Sequence, residues 1–144
     1  MSESQVWNKF NEVMKKKFLI KRIEDRLRKG TLDSFWIHKE TGKMGYLEYK
    51  YEDYDNTRCF KIPIKQEQII EAFTWAEFSK SVGILAAFGN IHFYFPAIHS
   101  ISWTQKIGKP LLATVLANLP HYHLGTKIDP EKMESLLLEG TSAL

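Results

Sequence analysis

The chain has 144 residues, 44% of them apolar and 26% charged, with a net charge of +3. This ordinary globular usage excludes collagen-like repeats and a wholly disordered chain, and the length fits one domain over residues 1–144. A single cysteine, Cys59, excludes an intramolecular disulfide and a cysteine-based zinc site. With a start, Met1-Ser2-Glu3-Ser4, that lacks a secretion signal, and no apolar stretch long enough to span a bilayer, the expected setting is the cytoplasm, with no membrane.

The charge is unevenly placed. Residues 1–65 hold fifteen Lys and Arg against ten Asp and Glu, whereas residues 66–144 hold five against seven. Nine basic and three acidic side chains fall within residues 9–30 alone. A basic block of this kind suits a polyanion, and it suits equally a solvated helix face.

In chain order, the first element reads as a helix. Ser2 or Ser4 can cap it, Val6, Phe10, Val13 and Met14 recur at helical spacing, and Lys15, Lys16 and Lys17 crowd its last turn. Residues 18–23 read as a short strand, and Arg26 to Lys29 as a basic connection ending at Gly30. Residues 32–38 and 44–51 read as two strands of a hairpin, joined by Lys39-Glu40-Thr41-Gly42-Lys43 with Gly42 free to take positive φ. A polar loop follows over 52–57. A helix over about 65–81 has apolar positions almost all the way round, which predicts burial on most sides. Residues 83–87 and 91–95 read as strands turned at Gly89-Asn90. The last helix spans 130–139, with Asp129 as cap, Pro130 at its first position and Gly140 just beyond it. The sum is an α/β domain with a central mixed sheet flanked by helices.

The candidate chemistry sits on Asp33 and, fifteen residues later, Glu48-Tyr49-Lys50. Alternate strand residues share a face, so Glu48 and Lys50 point one way and Tyr49 the other. A hairpin turned near Gly42 brings Asp33 and Glu48 to the same sheet end. Two carboxylates there repel, and one takes up a proton unless a cation lies between them. Oxygen donors without cysteine favour a hard ion, Mg²⁺ or Mn²⁺. Such an ion lowers the pKa of bound water and neutralises phosphate charge, and Lys50 beside it can steady the transition state.

The stretches Arg22-Ile23-Glu24-Asp25, Gly30-Thr31-Leu32-Asp33 and Gly45-Tyr46-Leu47-Glu48-Tyr49-Lys50, followed by Gln68, resemble the PD-(D/E)XK nuclease superfamily. They look most like its small virus-type replication-repair nucleases and, in element order, the Holliday-junction resolvases. The resemblance covers about residues 3–95, leaves 96–144 as an unmatched extension, and departs from the pattern at Leu32, where a proline is usual. It implies a restriction-endonuclease-like αβββαβ core and a metal-dependent endonuclease acting on DNA, with branched or structured DNA as the expected substrate. On that reading Asp33 and Glu48 bind the metal, Lys50 assists catalysis, Glu3 on the first helix adds an acidic ligand, and Gln68, or failing it Gln66, supports the site. The superfamily's structure-selective members act as dimers, so a homodimer is the implied assembly.

The basic residues Lys21, Arg22, Arg26, Arg28 and Lys29 lie just before Asp33 in sequence and suit a phosphate backbone; Arg22 could instead pair with Glu24 or Asp33. His121-Tyr122-His123, next to Pro120, reads as an irregular segment with packing or surface rings rather than a metal pair. The aromatic run of residues 91–95 reads as a core strand rather than a base-stacking platform. Two other functions fit the same sequence: a nucleic-acid-binding module without activity, and a protein-interaction domain with an incidental Glu-x-Lys.

Overall fold

The computed structural model describes residues 2–23, 33–52, 67, 70, 71, 74, 81–96 and 121–142, the last three without their side chains. These form a six-stranded mixed sheet and two helices, an α/β arrangement. Helix α1 spans Glu3–Met14. Ser2 caps it, accepting a hydrogen bond from the Gln5 N–H at 3.3 Å, which satisfies one of the orphan donors of a helix start. Val6, Phe10 and Met14, spaced by four, form its buried stripe. The three lysines do not crowd its last turn. Lys15 is the C-cap, its N–H bonded to the Asn11 carbonyl at 2.9 Å, and Lys16 and Lys17 turn the chain into the first strand.

The strands are β1 (Phe18–Arg22), β2 (Ser34–His38), β3 (Met44–Glu52), β4 (Val82–Phe88), β5 (Ile91–Pro96) and β6 (Tyr122–Gly125), arranged side by side in chain order. All neighbours are antiparallel except β3 and β4. Every residue of β4 is buried, as expected of a central strand covered on both faces. The β2–β3 hairpin turns where its sequence asks: Gly42 has φ +73° and its N–H bonds the His38 carbonyl at 2.8 Å.

Helix α2 spans Pro130–Ser142 and runs past Gly140, which does not stop it. It lies with α1 on one face of the sheet, where Phe10, Phe18, Trp36, Leu47, Tyr49, Leu85, Met133 and Leu137 share one core. Polar contacts fix its position. Ser81 donates to the Leu137 carbonyl at 2.7 Å, and Glu134 meets both His38 Nε2 at 3.1 Å and Lys17 Nζ at 3.2 Å.

The strand β6 corrects the reading of His121-Tyr122-His123 as irregular. Tyr122 pairs with Tyr94 and His123 with Phe93, with a register shift between His92 and Phe93. Both histidine rings pack on Phe93, at 5.9 and 5.1 Å between centroids. The run 91–95 is a buried core strand, as its composition suggests. Of the expected helix over 65–81, the described positions 67, 70, 71 and 74 are helical, and Ile70 is 58% exposed rather than buried. The connection 26–29 and the loop beyond Glu52, which itself belongs to β3, lie outside the described residues. Among the described residues no helix is long and apolar enough to cross a membrane.

Close approach governs one glycine on β4. A methyl group built on Gly83 would collide with the buried ring of Tyr94. The Gly83→Ala variant should lose about 1–3 kcal/mol of stability, read as a lower urea midpoint with an unchanged slope.

Candidate functional site

Asp33 stands at the entrance to β2, where its carbonyl accepts the Ile23 N–H at 2.8 Å and so holds the end of β1. Its pairing partner across the hairpin is set by the register Ser34 to Leu47, which brings Glu48 alongside. Here β2 stops following the ladder. The Asp33 N–H donates to Glu48 Oε2 at 3.1 Å, and Asp33 Oδ2 accepts the Tyr49 N–H at 2.8 Å. The two carboxylates are thereby tied to each other's backbone. Lys50, next but one along β3, places Nζ 3.4 Å from Glu48 Oε1 and 3.7 Å from Glu3 Oε1.

Glu48 is only 1% exposed and Lys50 7%. Burial pushes the Glu48 carboxyl from 4.5 up to about 8, repulsion from Asp33 adds to the rise, and Lys50 opposes it. Asp33 is also raised, chiefly by burial, against the pull of the Tyr49 N–H, Lys50 and Arg22. One ammonium therefore does not neutralise the pair. Two carboxylates that resist ionisation in a shielded place, with only oxygen donors, fit a hard divalent cation. Among the described residues no three His, Cys, Asp or Glu side chains gather as a ready metal centre, so the fit is that of a carboxylate pair.

The expected site residues are distributed as follows. Asp33, Glu48 and Lys50 come together. Glu3 reaches the same place from the first turn of α1, half exposed, with its carboxylate 3.7 Å from Lys50 Nζ. Arg22 lies with its guanidinium carbon 5.2 Å from the centre of the Trp7 ring and close enough to Asp33 to lower its pKa. Lys21, its neighbour, is exposed. Gln68, Gln66, Arg26, Arg28 and Lys29 lie outside the described residues.

Three further residues serve the site without a sequence signal for that role. Trp7 carries Arg22 on its ring. Ser34 and Tyr49 share a buried hydroxyl–hydroxyl hydrogen bond of 2.7 Å under the carboxylates. Burial holds the Tyr49 phenol far above its ordinary pKa, so it stays neutral. The alternation of β3 places Tyr49 on the core face, where it touches Phe10 at 6.0 Å, and its hydroxyl then sits below Asp33.

The fold and site define a class only at the level of chemistry: a mixed sheet that presents a carboxylate pair and a lysine on adjacent strands. The chain matches no model of a known protein family and no curated protein at a significant level.

Proposed function

We propose that this protein is a Mg²⁺- or Mn²⁺-dependent endonuclease acting on DNA, with branched or structured DNA as its substrate. The observation that carries the reading is the meeting of a half-buried Asp33 and a buried Glu48 beside Lys50, two carboxylates whose surroundings disfavour their ionised form. The element order supports it. Helix α1, strands β1 to β3, the helical positions 67, 70, 71 and 74, and β4 parallel to β3 are consistent with the αβββαβ order of the PD-(D/E)XK superfamily that the motifs resemble.

In this mechanism Asp33 and Glu48 would hold the ion, which when bound supplies positive charge to a phosphodiester and lowers the pKa of water. The chain's own groups do the rest. Lys50, steadied between Glu48 and Glu3, is the cation available to charge building up on phosphate. Arg22, stacked on Trp7, lies near enough to Asp33 to add positive charge beside it. The Tyr49 N–H and Asp33 N–H fix the carboxylates, so that neither has to reorganise during reaction.

The deciding experiment is cleavage of a labelled panel (four-way junction, flap, nick, single strand) with Mg²⁺ and with excess EDTA. Cleavage that requires the ion is expected, and robust hydrolysis in EDTA rejects the mechanism. Replacing Arg22, Arg26, Arg28 and Lys29 together with Ala should flatten log affinity against log salt by roughly 3 to 4 units, at about 0.9 per phosphate contact on duplex DNA. Binding titrations at several salt concentrations check this, and an unchanged slope places the DNA elsewhere.

A further inference from the structure

The face of the sheet turned away from α1 carries a row of side chains that the proposed chemistry leaves unused. Alternate strand residues share a face. Trp36, Leu47 and Tyr49 belong to the core under α1, so Phe35 and Tyr46 point the other way. Lys21 pairs with Phe35 and Phe35 with Tyr46, which sets a cation and two aromatic rings in line across β1, β2 and β3. Lys21 is exposed and both rings are half-buried. In the next row Leu19 and Met44 are 46% and 41% exposed. In the other direction Asp33 precedes Phe35 by two residues and Glu48 follows Tyr46 by two. By the same alternation the carboxylates lie on this face, about 7 Å along the strands at a rise of about 3.3 Å per residue.

We infer that this row is a subsite for an unpaired nucleobase of the substrate strand, with Phe35 and Tyr46 as its stacking surface and Lys21 as the partner of a neighbouring phosphate. The inference rests on the nucleic-acid reading above and narrows it to substrates that present a single-stranded nucleotide beside the cut. Aromatic rings partly exposed on a sheet face and edged by a cation can bind single strands without reading sequence. A fully paired duplex cannot use such a surface, because its bases are already stacked on one another. Charge favours the same occupant. An apolar protein partner would match Leu19 and Met44, but it would bury Lys21 and abut the carboxylate pair with nothing to offset either. A nucleotide offers Lys21 a phosphate and the rings a base.

The test is titration of the full-length protein, in Ca²⁺ to separate binding from cleavage, into oligonucleotides carrying the fluorescent base 2-aminopurine at successive positions. Wild type should quench the probe at one or two positions. Phe35→Leu and Tyr46→Leu, which keep apolar bulk, should each remove that quenching and weaken single-strand binding roughly tenfold, with under about twofold change for a paired duplex of equal length. Tyr46→Phe should retain both signals. Where a leucine variant melts early, the exposed Lys21→Gln carries the test and should lower the single-strand salt slope by about 0.7. Quenching that survives in folded leucine variants, an equal loss on duplex, or a Lys21→Gln slope equal to wild type overturns the subsite and leaves the nucleic-acid reading standing. Failure of wild type to bind any oligonucleotide or duplex overturns both. Self-association abolished by Leu19→Glu assigns the patch to a second copy and overturns the subsite.

Discussion

Glu48→Gln should reduce DNA cleavage by at least about 10³-fold, and Asp33→Asn and Lys50→Met should do the same, because all three act on one site. The substitutions are chosen so that the fold survives. A Gln at 48 still offers an amide oxygen to the Asp33 N–H, and an Asn at 33 still accepts from the Tyr49 N–H. Met at 50 keeps the apolar stem of a side chain that is 7% exposed while removing the ammonium. Any double variant should be no slower than the worse single one, since a site that has lost one of its parts has little left to lose. Single-turnover cleavage with Mg²⁺, beside a thermal melt of each variant, checks this. Wild-type cleavage by a folded Glu48→Gln protein would remove Glu48 from the chemistry.

The legible parts of this protein are those that local physics decides. The Ser2 cap and the four-residue spacing of Val6, Phe10 and Met14 specify α1 without help from the rest of the chain. Gly42 sets the β2–β3 turn, and once that turn is set the approach of Asp33 to Glu48 follows from counting residues along two strands. What was not legible depends on distant partners. The four residues of β6 have no alternating pattern of their own. They are a strand because β5 offers them a ladder, with Tyr94 against Tyr122 at 6.3 Å and a shift of register beside it. Gly140 is a helix stop only when nothing else holds the next turn, and α2 carries on past it to Ser142. At the site, the family resemblance names Glu3 together with Lys50 but could not show that Glu3 lies 3.7 Å from the lysine. Nor could it show Arg22 on Trp7, since that contact joins a helix to a strand through three dimensions.

The free protein, without added divalent ion, should lose stability as the pH rises from about 5 to 9, and Glu48→Gln should remove most of that loss. Glu48 has a folded-state pKa of about 8 against an ordinary 4.5. Between those values the native state binds a proton that the unfolded chain has released, so stability falls with rising pH until the folded-state pKa is passed. At about 1.4 kcal/mol per unit the shift amounts to an effect on the order of 4–5 kcal/mol. Asp33, raised in the same direction, adds to it. Two other groups act oppositely, but at lower pH. Glu134, held below its ordinary 4.5 by His38 and Lys17, contributes stability that is lost on acidification. His92, kept neutral by burial below its ordinary 6.5, favours the folded state as the pH rises toward that value. The window from pH 7 to 9 therefore isolates the carboxylate pair. Urea denaturation across that window in EDTA should show wild type weakening and Glu48→Gln nearly flat, with the variant the more stable of the two at pH 9. Millimolar Mn²⁺ at pH 9 should restore wild type by mass action on the folded state and leave the variant nearly unchanged. A wild-type stability that stays level from pH 7 to 9 in EDTA would mean that Lys50 and Arg22 neutralise the two carboxylates without help, and that the site has no need of a divalent cation.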